Sequence, residues 1–297
     1  MRKKALLVGI NDYQDAPLRG CVNDVTNMKQ LLLDTFGFKP ENLKIILNHQ
    51  ATGQVITQGL AWLADDLEQD SVRIFHFAGH GHFVPDDSGD EPDGSDEALV
   101  PVDYVENGFI IDDKLKTLYD KFPDDCNLTL IMDCCHSGTN QRAADRDVLY
   151  RFLPVTYKER KAIAAAKRKF LQDQREYVLE HTRQLRGREV PLEKFQEKVL
   201  AVMQQFEKQR FGDHRLRTNN VLLAACQSDQ KAADAKFERS YEGAFTHYLT
   251  QIVRDHGGDI DYQQLLETVG EELDANEFTQ IPQLECSEGR ESARIFG

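Results

Sequence analysis

LTLIMDCCHSG, residues 128–138, decides the fold. Leu128 to Met132 form a run that is apolar on both faces. The chain then turns abruptly small and polar, through Asp133, two adjacent cysteines, His136, Ser137 and Gly138. A strand without a polar face belongs inside a sheet that is covered by helices on both sides, and that is the habit of parallel sheets. The same pattern recurs outward along the chain. KALLVGI (4–10), LKIIL (43–47), VRIFHFAG (72–79) and NNVLLAACQ (219–227) read as further strands. Between them lie helical stretches. In residues 23–36, Val25, Met28, Leu32 and Phe36 fall on one face and Gly37 stops the run. QVITQGLAWLADDL (54–67) and DDKLKTLYDKF (112–122) are the others. Alternation of this kind predicts an α/β fold around a mostly parallel central sheet flanked by helices.

One segment breaks the rhythm. From about residue 156 to 217 the chain is rich in Lys, Arg, Glu, Gln and Ala. Ile163, Phe170, Tyr177/Val178 and Leu185 make one helical stripe, and Leu192, Phe195, Val199, Met203 and Phe206 make a second. Gly187 and Pro191, a stop and a first helical position, separate them. The spacing predicts an αα-hairpin inserted between the fourth and fifth strands.

Bulk properties exclude several classes. A net charge of −14 over 297 residues argues against nucleic acid or an anionic membrane as partner, since both call for basic surface. No apolar stretch approaches the roughly 20 residues of a membrane span, and the apolar run after MRKK is too short for a signal peptide. Six cysteines in a chain of this length do not make a disulfide scaffold. A reduced, cytoplasmic protein is expected.

In open α/β sheets, sites form beyond the carboxyl ends of the strands. Two ends are loaded here: Asp133-Cys134-Cys135-His136 and HFAGHGH, with His76, His80 and His82. A thiol nucleophile needs a base. His136 is a poor candidate, because neighbouring side chains in extended chain point to opposite sides. His76 lies within its strand and reads as a core histidine. His80, between two glycines where the chain leaves the strand, is placed to act. The Gly81 N–H and the nucleophile's own N–H could hold an oxyanion. A zinc site on His80, His82, Cys134 and Cys135 is the rival reading, although adjacent cysteines do not have the spacing of structural zinc sites. The remaining reading makes both cysteines small buried residues.

Eight stretches together resemble the caspase-like cysteine peptidases of the metacaspase and orthocaspase type. They are LLVGINDY, LRGCVNDVTNM, FAGHGH, DGSDEALVPVDY, DCCHSG, AACQSDQKAADA, GAFTHYL and QIPQL. The Gln-Ala-Cys-x-Gly signature of true caspases is absent. The resemblance implies Cys135 as nucleophile, His80 as base, and the amides of Gly81 and Cys135 as the oxyanion hole. It implies a large-subunit-like part over residues 1–155, the helical insertion or linker over 156–217, and a small-subunit-like part over 218–297. It also implies cleavage of proteins or peptides after Arg, then Lys, in a pocket lined by Asp24, Cys21 and Asp133. Ala78 stands where many relatives have a serine that would help hold the cation.

The chemistry is expected to need no cofactor. In calcium-activated relatives, aspartates matching Asp96, Asp112 and Asp113 bind the ion, but Arg142 stands where a fourth acidic ligand belongs, so calcium-independent activity is expected. Control is expected to come from proteolytic processing, by the chain itself or an activating protease, or from a regulator. The expected cuts lie in exposed connections, at Arg142, Arg146, Arg186, Arg188, Arg215 and Arg217. The alternatives are a catalytically idle caspase-like interaction module and a metal-binding protein.

Overall fold

The computed structural model describes residues 2–87, 91–123, 126–135, 148–183, 191–211, 220–228, 230–238 and 240–297, with the side chains of 113 and 207–211 excepted. In chain order the first elements are β1 (Lys3–Gly9), α1 (Cys21–Asp34), β2 (Leu43–Leu47), α2 (Gly53–Leu63) and β3 (Val72–Ala78). Next come β4 (Gly81–Pro85), β5 (Ser95–Leu99), α3 (Tyr104–Asn107), β6 (Ile110–Ile111), α4 (Asp112–Tyr119), β7 (Asn127–Asp133) and β8 (Val148–Tyr150). The remainder is α5 (Tyr157–His181), α6 (Leu192–Phe211), β9 (Asn220–Ala224), β10 (Ala233–Phe237), β11 (Ser240–Gly243), α7 (Ala244–Asp255), α8 (Tyr262–Ala275) and β12 (Gln283–Cys286).

Among the described residues, six strands form the central sheet in the order β12-β9-β7-β3-β1-β2. Every pairing is parallel except the β12–β9 edge. The chain is therefore an α/β protein of the predicted class. β1, β3 and β7 are the near-continuous apolar runs that a sheet covered on both faces requires. Leu6, Val8, Phe75, Phe77, Leu128, Leu130 and Met132 point into one apolar layer, which α2 and α4 complete with Ile56, Leu60, Leu115 and Leu118. Full burial of one such aliphatic side chain contributes about 1.5–3 kcal/mol. α1 begins at Cys21, two residues earlier than its apolar stripe suggests, and buries Val25, Met28, Leu31 and Leu32. Between β12 and the core, Gln280 Nε2 donates to the Ala225 carbonyl, and its Oε1 accepts from the Ala233 amide.

The chain divides into two compact units, residues 1–82, 97–154 and 216–297 in one, and 83–96 with 155–215 in the other. The second unit holds the helical pair. Thr156 and Glu159 form a reciprocal capping box that starts α5. Phe170 and Phe206 meet edge-on at 5.7 Å, and Tyr177 packs on Phe206 at 5.2 Å. The buried seam differs from the predicted stripe: it contains Val202, whereas Leu192 and Phe195 stay exposed. Gly94 packs on the α5 backbone, where an added Cβ would lie 2.7 Å from the Ile163 carbonyl oxygen, and the Glu91 amide donates to buried Asp86.

Candidate active site

β3 and β7 are neighbours, and their register sets Ala78 opposite Asp133. The two chemically loaded ends therefore emerge side by side. His76, one turn of the pleat earlier, is fully buried, and its Nε2 lies 3.3 Å from Thr246 Oγ1. Burial lowers its pKa to about 3, with Arg151 adding to the effect. It is a core histidine.

His80 is held from several sides. Its amide donates to Tyr13 Oη at 3.0 Å, its carbonyl accepts from the Val100 amide, and its ring packs on Tyr13 at 4.6 Å. Nε2 lies 2.7 Å from the Ala16 carbonyl oxygen. A carbonyl only accepts, so Nε2 carries the proton, and in the neutral ring Nδ1 has the free lone pair. Nδ1 is buried and makes no hydrogen bond. Burial lowers the His80 pKa to about 4, although the Ala16 carbonyl pulls it upward and the nearby Arg151 backbone does so weakly. The ring is thus neutral at physiological pH, with its basic nitrogen unengaged.

Of the two cysteines, Cys134 faces the apolar layer. Cys135 is fully buried. Its Sγ accepts from the Ala232 amide and hydrogen-bonds the Cys226 thiol, whose pKa is pushed up by that bond and by burial. No hydrogen bond joins Cys135 and His80 among the described residues. The two converge instead on a residue that sequence reasoning passed over, Arg151.

Arg151 is fully buried, and unlike the equally buried Arg73, which donates to backbone carbonyls, it is surrounded by carboxylates. Its Nη2 meets Asp24 Oδ2 at 2.5 Å and Asp234 Oδ1 at 3.0 Å, and its Nη1 meets Asp133 Oδ2 at 3.1 Å. Each carboxylate is aimed by other donors. Asp24 accepts from the Gly243 amide, Asp133 from the Thr246 amide and hydroxyl, and Asp234 from the amides of Arg19 and Gly20. Although burial acts to lower the Arg151 pKa, Asp133, Asp24, Cys21 and Asp234 together hold it well above its ordinary value. Asp24 is pushed up by burial, against the pull of Arg151 and with the push of Asp133. The wall opposite is glycine for a steric reason: a Cβ on Gly243 would come within 2.6 Å of the Arg151 guanidinium carbon.

The Arg151 backbone is equally constrained. Its carbonyl oxygen accepts from the Gly81 amide and from the Cys135 amide, each at 3.0 Å. Its own amide donates to the Ala232 carbonyl at 3.1 Å, extending an antiparallel pairing in which β8 lies along β10, Tyr150 opposite Ala233 and Leu149 opposite Asp234. Beyond it, the Leu153 amide donates to the Gly81 carbonyl. An arginine lies in an acidic pocket, and its carbonyl oxygen is fixed by two N–H donors, one from the residue that carries the thiol and one from the residue that follows His80, whose ring lies near the Arg151 backbone.

Asp24 and Asp133 thus face one guanidinium, and Cys21 lies fully buried at the start of α1 beside them. Sequence reasoning missed Asp234, Gly243, Thr246 and Arg151. The four zinc candidates do not gather: His82 Nδ1 bonds the Leu153 carbonyl, and the other three are engaged as described. Asp96 lies in β5 and Asp112 opens α4. The Asp113 side chain, His136 and all six arginines named as cleavage sites, from Arg142 to Arg217, lie outside the described residues. Among the described residues, no three His, Cys, Asp or Glu side chains converge as a metal site requires.

A family profile described as metacaspase, peptidase C14 domain, matches residues 3–143. Metacaspase-1 of Candida albicans is 33% identical over 96% of the chain, which spans 65% of that relative's length. Metacaspase-1A of Aspergillus niger is 31% identical over 96% of the chain and 70% of the relative. The chain belongs to the metacaspase family. It is so grouped with the caspase-like cysteine-type endopeptidases. Solved structures agree on the fold. That of protein GSU0716 from Geobacter sulfurreducens superposes with a TM-score of 0.65 at 22% identity, covering 100% of this chain and 98% of that one. Caspase-1 from Spodoptera frugiperda superposes with a TM-score of 0.51 at 14% identity, over 96% of this chain and 88% of that one. No helix among the described residues is long and apolar enough to cross a membrane.

Proposed function

We propose that this metacaspase is a cysteine endopeptidase that cleaves proteins after arginine, and less well after lysine, with Cys135 as nucleophile and His80 as base. The observation that carries the reading is the double grip on Arg151: three carboxylates on its guanidinium and two amides on its carbonyl oxygen. A substrate residue would need the same grip. Cys135 Sγ turns from Ala232 towards the carbonyl and gives its proton to His80 Nδ1. The thiolate attacks the carbonyl carbon, and the amides of Gly81 and Cys135 hold the developing oxyanion. His80 returns the proton to the leaving amine. Water, deprotonated by His80, then hydrolyses the thioester.

Arginine is favoured because a planar fork can engage acceptors on several sides, whereas an ammonium is a point charge. No step is routed through a metal, and activity without calcium is expected. Six thiols without a disulfide fit a reducing, cytoplasmic setting. A fluorogenic peptide panel with Arg, Lys or Asp before the scissile bond tests the reading. Arginyl and lysyl peptides should turn over, aspartyl peptides should not, and His80→Ala should be inactive on all. Turnover of aspartyl peptides would overturn the specificity. A fully active His80→Ala would overturn the dyad.

A further inference from the structure

The segment around Arg151 belongs to the chain itself, and both sides of its next peptide bond are gripped. On the amino side, β8 runs antiparallel to β10 and the Arg151 amide reaches Ala232. On the carboxyl side, Phe152 bridges Gly81 and the Leu153 amide reaches the Gly81 carbonyl. Between them the carbonyl of Arg151 accepts from the amides of Gly81 and Cys135, the residue after the imidazole and the residue that carries the thiol. Resting on the reading of the site as a basic-specific cysteine peptidase, we propose that the Arg151–Phe152 bond is the chain's own first substrate, and that until it is cut Arg151 keeps the pocket closed to other substrates.

The step balances as an ordinary hydrolysis. The Cys135 proton passes to His80, sulfur bonds to the Arg151 carbonyl carbon, and the bond to the Phe152 nitrogen breaks as His80 protonates it. Water then replaces sulfur, leaving a carboxylate on Arg151, an ammonium on Phe152 and the thiol restored. The closure is physical. A tethered arginine competes at an effective concentration in the millimolar range, and the guanidinium is fully buried among acceptors that an incoming basic residue would need. Cutting frees β8 from its downstream anchor at Gly81, so that Arg151 can exchange with a substrate. The choice of bond also follows from geometry. Cleavage needs an extended backbone at the site, and the strand pairing of residues 148–150 supplies it.

Intact-mass measurement with fragment-end reading on incubated protein tests this. The wild type should yield 1–151 and 152–297, which together exceed the intact mass by one water, while Cys135→Ala should stay whole. Arg151→Gln should not be cut there and should hydrolyse an arginyl peptide from the first moment, about tenfold or more faster than uncut wild type. In case three unpaired carboxylates unfold that variant, Phe152→Pro keeps Arg151 and blocks scission; it should stay intact at this bond and remain poorly active. If the wild type hydrolyses arginyl peptides yet Phe152 never becomes an N-terminus, the inference is wrong and the peptidase reading stands. The same holds if Phe152→Pro is as active as cut wild type. If no variant and no wild-type preparation hydrolyses any basic peptide, both readings fall.

Discussion

Asp24→Asn isolates the contribution of one carboxylate to specificity. The change is isosteric, and the asparagine oxygen can still accept from the Gly243 amide, which Asp24 Oδ1 does at 2.9 Å. The other position, Oδ2, now meets the guanidinium Nη2 at 2.5 Å. There the variant presents an N–H to an N–H, so a charge-assisted bond is lost. Such bonds contribute about 1.5–3 kcal/mol. Burial already pushes the Asp24 carboxyl towards its protonated form, so ionising it offsets part of the gain when a cation enters. The loss is therefore expected at the lower end, about tenfold in kcat/KM for an arginyl peptide. The assay is made in an Arg151→Gln background, so that the internal arginine does not compete. The Arg:Lys ratio should fall as well, because the fork loses an acceptor that an ammonium uses less fully. A change in kcat/KM below about threefold, with the ratio unaltered, would refute the assignment of Asp24 to the pocket.

Three further outcomes are expected. Cys134→Ala should keep a substantial fraction of peptidase activity while Cys135→Ala and His80→Ala lose it to the same extent, since members of one catalytic unit do not add; activity assays on the three variants decide it. His76 has a folded pKa of about 3 against an ordinary 6.5, so the unfolded chain binds a proton that the folded chain refuses, and stability contributed by the neutral ring is lost as pH falls through that interval. Denaturant unfolding should accordingly show wild type losing about 1.4 kcal/mol per pH unit more than His76→Gln below pH 6.5; parallel pH profiles would contradict it. Excess chelator should leave peptide hydrolysis unchanged, and restoration of a silenced enzyme by calcium would assign the ion a role.

The parts of the fold that depend on local pattern were legible. The two-sided apolar runs gave β1, β3, β7 and β9 their place in a parallel sheet, and the long polar-rich stripes marked α5 and α6. The strands β8 and β11 have only three and four residues, β10 (ADAKF) mixes charge with small residues, and their pairing is a tertiary fact. That gap hid the centre of the site. Arg151 sits in VLYRFL, which reads as a plain β-prone run with one charge. Expected exposure, the criterion that selects the six arginines in polar connections as cleavage sites, passes over a buried arginine. An arginine inside an apolar run was the signal, though an ambiguous one: Arg73 in VRIFHFAG is as deeply buried and donates to the backbone carbonyls of Leu63, Arg2 and Asp66, with no ion pair among the described residues. Asp234 was equally hidden: it stands 101 residues after Asp133, and only the Arg19 and Gly20 amides and the guanidinium give its carboxylate a direction.

Active-site labelling puts the central claim, a thiol at position 135 served by an arginine pocket, to the most direct test. Peptidyl chloromethyl ketones ending in Arg or in Asp would be reacted with Arg151→Gln protein, and the modified residue read by peptide mapping. The account predicts rapid alkylation of Cys135 by the arginyl reagent and negligible labelling by the aspartyl one. Labelling of Cys134 in its place, or equal reaction with both reagents, would contradict it.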